Sequence, residues 1–176
     1  MSQDDDLSKA RRRFPRGDRV RGRVSAVPWG PGRTGLFVDL GSKPAGFVDV
    51  LHLPEDPSLW PSAGRAGLFE VLQHRPGQVR LFPLDAGMRA KRYRTSTWSG
   101  PEWAAITERY PVGSTVIGTV TDVCLMDREY GVRFGDCWTL VEYDEAPAAI
   151  GTVNTYIVTR HLEWTRRIMV QPAPLS

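Results

Sequence analysis

Only two cysteines, Cys124 and Cys137, occur in the 176 residues, so no disulfide framework holds this chain together. They are thirteen apart without a CxxC, and His52, His74 and His161 stand far from any cysteine or carboxylate at ligand spacing. No zinc site is therefore expected. No GxSxG, phosphate-loop or dinucleotide fingerprint occurs, and Gly30-Pro31-Gly32 is not followed by the helix a phosphate loop needs. The expectation is a non-enzyme with no metal and no cofactor. Apolar runs never approach the roughly 20 residues of a membrane-spanning helix. The opening MSQDDDLSKARRRF is acidic and then basic with no apolar centre, which does not read as a secretory signal. A cytoplasmic protein with reduced thiols is the default expectation.

Glycine and proline, by contrast, are plentiful at 17 and 14, which suits short strands better than long helices. Net charge is only +3, but its distribution is uneven. Lys9, Arg11, Arg12, Arg13, Arg16, Arg19, Arg21 and Arg23 crowd the start, whereas acids slightly outnumber bases after Lys91. The first half is thereby expected to meet a polyanion. Residues 1–13 read as a basic flexible arm.

One pattern occurs twice. FPRGDRVRGRVSAV (14–27) and YPVGSTVIGTVTDV (110–123) align without a gap and share Pro15/Pro111, Gly17/Gly113, Val20/Val116, Gly22/Gly118, Val24/Val120 and Val27/Val123. Such density marks one supersecondary unit used twice. Four further β-rich runs follow each copy: TGLFVDL, AGFVDV, LFEVLQH and QVRLFPL in the first, YGVRFG, CWTLVEY, VNTYIVT and RRIMVQP in the second. Between the copies, Gly100 caps and Pro101 begins a short helix, with Trp103, Ile106 and Tyr110 on one side. Five short strands hide their edges most simply by closing into a barrel, and Gly22 and Gly118 mark the bends that closure needs. The expected architecture is all-β: two tandem five-stranded β-barrels joined by a short helix. Their boundaries are 14–86 and 110–173, with a linker over 87–109.

The stretches Gly17 to Val27, Gly35 to Leu40, Gly46 to Leu51 and Ala66 to Leu84 resemble the S1-type RNA-binding domain. That module is an oligonucleotide-binding (OB) barrel, and the second copy keeps mainly its first strand. The resemblance implies RNA binding on the outer face of strands two and three. Thr34 stands where the family has an aromatic, Asp49 where it often has a histidine, and Trp29 on the inserted PWGPGR loop takes the missing aromatic's place. Strand alternation points the same way independently. Val20, Gly22 and Val24 face inward, so Arg19, Arg21 and Arg23 stand in a row outside. A turn centred on Ser42 sets Phe37 opposite Phe47 as two bare rings, with Lys43 and Arg80 beside them for phosphates.

In the second copy Thr115, Ile117 and Thr119 replace the arginines and Arg133 replaces Phe37, which predicts a packing or protein-contact module. Single-stranded RNA is the expected partner, with single-stranded DNA open and a protein partner open for the second barrel. The rival reading is a protein–protein adaptor or inhibitor, antitoxin-like or a complex subunit, on barrels that no longer bind nucleic acid. An accessory domain of a nuclease is a third.

Overall fold

The computed structural model describes residues 3–28, 34–90 and 98–175. The chain forms two compact units, Met1–Tyr93 and Arg94–Ser176. The first runs α1 (Gln3–Arg13), β1 (Arg19–Ala26), β2 (Gly35–Asp39), β3 (Ala45–Asp49), β4 (Ala66–Arg75) and β5 (Gln78–Pro83). The second runs α2 (Gly100–Arg109), β6 (Thr115–Cys124), β7 (Glu129–Phe134), β8 (Cys137–Glu142), β9 (Val153–Leu162) and β10 (Arg167–Pro172).

The five strands of the first unit close into a barrel in the order β1-β2-β3-β5-β4, the order of an OB fold, with β3 and β5 parallel. Val24, Leu36, Val38, Val48, Phe69, Val71, Val79 and Leu81 fill its interior, as alternation along each strand requires. The barrel ends are stopped by side chains from outside the sheet. Leu53 and Trp60 come from the β3–β4 connection, Phe14 precedes β1, and Met88 follows β5. Met88 is fully buried and the Ala90 amide donates to the His52 carbonyl, so the first unit extends beyond the expected boundary at residue 86.

The expected flexible arm is corrected. Residues 3–13 are a helix whose Leu7, Ala10 and Arg11 are buried together with Phe14, at the i, i+3, i+4, i+7 spacing of one helical face. That stripe packs against β4. Arg12 and Arg13 lie exposed on the opposite side.

In the second unit the strand order is β10-β9-β6-β7-β8. This is the barrel order of the first unit cut between its third and fifth strands. The edges β8 and β10 lie side by side without a ladder among the described residues, so the expected second barrel is a sheet that stays open. The residues at the cut give the reason. In the first unit Val38 pairs with Gly46, and a Cβ on Gly46 would sit 2.5 Å from Leu81 of β5, so glycine lets the closing strand approach. At the matching place in the second unit Val132, which pairs with Val120 as Val38 pairs with Val24, faces buried Thr139, so a side chain stands where the first unit has the glycine.

Otherwise the two units match in detail. Gly17 donates to the Val71 carbonyl and Gly113 to that of Val158; Val24 donates to Arg65 and Val120 to Thr152. The bulges fall at Val24/Ala26 and Val120/Asp122. Buried His74 lies 2.6 Å from the Phe14 carbonyl through Nε2, and His161 lies 2.7 Å from that of Tyr110. A carbonyl only accepts, so Nε2 carries the proton in both rings. The match reaches into the helices. Trp103 and Ile106 on α2 hold the places of Leu7 and Ala10 on α1, each 96 residues on, and pack on the second core.

Ser99, not Gly100, caps α2. Its hydroxyl accepts from the Glu102 amide while the Glu102 carboxylate accepts from the Ser99 amide, a capping box with Pro101 in the first turn. The Ser99 backbone bond, then its side chain, holds the Glu102 carboxyl below its ordinary pKa.

A Cβ on Gly22 would lie 2.4 Å from Val38 Cγ1, and one on Gly118 2.4 Å from Val132 Cγ1. Valine has little rotamer freedom to move away. Gly22→Ala and Gly118→Ala are each expected to lower unfolding free energy by about 1–3 kcal/mol through overpacking, read as a lower urea midpoint with unchanged slope.

Candidate nucleic-acid interface

The outer face of the first barrel carries most of the candidate residues. Arg19, Arg21 and Arg23 alternate with inward Val20 and Val24 and are all exposed. Among the described residues Arg19 and Arg21 make no ion pair or hydrogen bond, while Arg23 donates to the Gly64 carbonyl at 2.5 Å. Arg23 lies opposite Asp39, next to Phe37, which pairs with Ala26 beyond the bulge. Lys43 is exposed on the β2–β3 turn. Trp29 lies outside the described residues.

The expected pairing of Phe37 with Phe47 is present, and it continues across the parallel ladder to Arg80. The expected pair of bare rings is not. Phe37 is half-buried, but Phe47 is only 5% exposed. Three neighbours cover it. The Phe37 ring meets it edge-on with centroids 5.2 Å apart, the Arg80 guanidinium sits 4.6 Å above its centroid, and its tip lies over Gly35, where a Cβ would come within 2.8 Å. Phe47 is thus the middle of a stack that β5 completes. Arg80 is also turned toward Asp49 at 3.5 Å, so the acid that would repel a phosphate is paired with a cation of the same face. Arg80 serves that stack first and is half-buried, not a free phosphate ligand.

Charge follows the division into units. Residues 1–93 hold 16 Lys and Arg against 10 Asp and Glu, a net of +6, whereas residues 94–176 hold 7 against 10, a net of −3. The first unit therefore carries the positive field of the chain.

Trp138 was missed by the strand reading. The two-residue turn Gly135–Asp136 sets Arg133 opposite Trp138. The expected replacement of Phe37 by Arg133 is corrected: pairing with β6 puts Gly131 at the register position of Phe37 and Arg133 at that of Asp39, and Leu140 takes the position of Phe47. The alternation of CWTLVEY, with Cys137, Thr139 and Val141 inward, already held the signal. No group of three or more His, Cys, Asp or Glu that would hold a metal ion occurs among the described residues. Nor is any described helix long and apolar enough to cross a membrane.

No protein-family model matches the sequence, and no curated protein matches it. Among solved structures, the chain is similar to a multidomain protein with nucleic acid binding domains from Streptococcus pneumoniae, at 19% identity and a TM-score of 0.31. That match covers 90% of this chain and 52% of the other, so this chain spans about half the pneumococcal protein. It is also similar to GSP13 from Bacillus subtilis, at 20% identity and a TM-score of 0.36, over 57% of this chain and 78% of that one.

The covered ring and the half-open ring separate experimentally. Phe47→Ala is expected to lower stability by about 3 kcal/mol or more, as for a buried aromatic. Phe37→Ala, which removes one cross-strand partner, is expected to cost about 1 kcal/mol or less. Urea unfolding of the two variants checks the order; equal losses would mean that both rings are core.

Proposed function

We propose that the protein is a non-catalytic binder of single-stranded RNA, and that the first barrel supplies the electrostatic grip. The observation that carries this reading is the row of exposed arginines on β1, two of them uncommitted, beside the half-open Phe37 on the outer face of a barrel with OB strand order. Surface arginines need no alignment for folding, and phosphates spaced along a strand give them one. Phe37 offers its free side to one base, with the Phe47–Arg80 stack as its rigid backing. Lys43 extends the basic face at the turn. The S1-type resemblance of the first copy favours RNA over DNA.

Three to five neutralised phosphates give a slope of log affinity against log salt near −2 to −3.5 on single strands. Anisotropy titration of a labelled RNA pool at several salt concentrations measures it, with a DNA pool of the same sequences in parallel. Replacing Arg19 and Arg21 together by alanine is expected to flatten the slope by about 1.4. A flat response in the unmodified protein rejects the phosphate grip, and equal affinity for both pools rejects RNA selectivity.

A protein-contact role for the second unit is the rival, favoured by Ile117 and Val153, exposed neighbours on the outer face of β6 and β9. Protein purified without bound nucleic acid, with no change in its 260/280 nm absorbance ratio after ribonuclease, supports that rival.

A further inference from the structure

The second unit carries an exposed aromatic fixed on its outer face. In the first unit the row across β2, β3 and β5 is Phe37, Phe47 and Arg80. In the second, Gly131 and Leu140 hold the places of Phe37 and Phe47, because Val132 pairs with Val120 as Val38 pairs with Val24. His74 pairs with Val79 and Gln73 with Arg80, while His161 pairs with Ile168 and Arg160 with Met169, so Met169 holds the place of Arg80. The outer row thus has no ring of its own, and Trp138, paired with Arg133 in the next row, turns its indole over Gly131. Trp138 is 41% exposed.

The indole is also held still. It lies across Gly131, the counterpart of Phe37, where a Cβ would come within 2.8 Å of Nε1. Nε1 donates to the Thr121 hydroxyl at 3.1 Å, and that hydroxyl donates to the Asp122 carboxylate at 2.5 Å. A glycine floor and one hydrogen bond thus fix a large aromatic face outward. Exposed Arg133 stands directly opposite in the pairing and makes no ion pair or hydrogen bond among the described residues.

We propose that Trp138 is a base-stacking platform for single-stranded nucleic acid on the second unit, with Arg133 as its phosphate contact. This rests on the RNA-binding reading above. It assigns the main stacking surface to the unit with the acidic balance, and leaves most of the phosphate grip to the first. A flat ring bound in place binds any base through its face, and a single neighbouring cation suffices to hold one phosphate. Stacking carries little salt dependence, so the two contributions are separable by salt.

The test uses the full chain and the labelled RNA pool. Trp138→Ala is expected to weaken binding about ten-fold or more with the salt slope unchanged, while Trp138→Phe keeps most of the affinity. Arg133→Ala should flatten the slope by about 0.7. In the unmodified protein, ultraviolet crosslinking to oligonucleotides carrying 5-bromouridine should mark the peptide containing Trp138, whatever the folding of the variants. Affinity of Trp138→Ala within two-fold of the parent, or crosslinks confined to residues 1–93, overturns the proposal and leaves the first-unit reading standing. Absence of RNA and DNA binding by the unmodified protein overturns both.

Discussion

Both units depend on one strand that is shared between two partners and pinched at a glycine. β1 pairs with β4 through Arg19 to Arg23 and with β2 from Arg23 onward, and β6 divides itself between β9 and β7 in the same register. A strand shared in this way must bend sharply, and the bend brings the facing strand against its backbone. At Gly22 and Gly118 the approach leaves no room for a side chain, because a valine from the facing strand occupies the space. The following bulge adds the twist that carries the chain around. With that bend in place, the inward residues converge on one core and the outward ones are splayed as a curved face.

That constraint was readable in the sequence because it is local and repeated. Two glycines and three valines recur at fixed spacing, and alternation about them puts Arg19, Arg21 and Arg23 outside and pairs Phe37 with Phe47. What alternation does not contain is what lies over an outward residue. Phe47 is buried because β5 returns parallel to β3 and sets Arg80 on top of it, a contact 33 positions away. The arm was misread for a related reason. Arg11, Arg12 and Arg13 dominate its composition, while the stripe that folds it, Leu7, Ala10 and Phe14, is three residues long and has meaning only against β4. Its counterpart in α2 is written in larger letters, as Trp103, Ile106 and Tyr110, and was legible at once.

The second unit shows how a small change at the closing strands redistributes chemistry. Buried Thr139 stands where the first unit has Gly46, and the edge strands stay unladdered. In the first unit the parallel ladder brings Arg80 onto the ring and ties that arginine to Asp49, so closure uses a cation that would otherwise face solvent. Where the ladder is missing, Met169 holds the place of Arg80 and Leu140 that of Phe47, and the Trp138 indole lies over Gly131 in the place of Phe37.

Closure and exposure are therefore linked on the outer face. The sealed barrel gains an aromatic–guanidinium stack and leaves Phe37 half-buried with the β1 arginines exposed beside it. The open sheet carries Leu140 and Met169 in the places of that stack and exposes the Trp138 indole over Gly131 instead. The two units share the same sequence of strand neighbours and the same backbone hydrogen bonds at their entry strands, and they differ in the one ladder that closes the first and in the side chains beside it. Charge follows a matching division, +6 on the unit with the arginine row and −3 on the unit with the open ring. On the RNA-binding reading proposed above, the arginine row supplies most of the phosphate contacts and the Trp138 ring the larger stacking face, with Phe37 and Arg133 adding a lesser share of each.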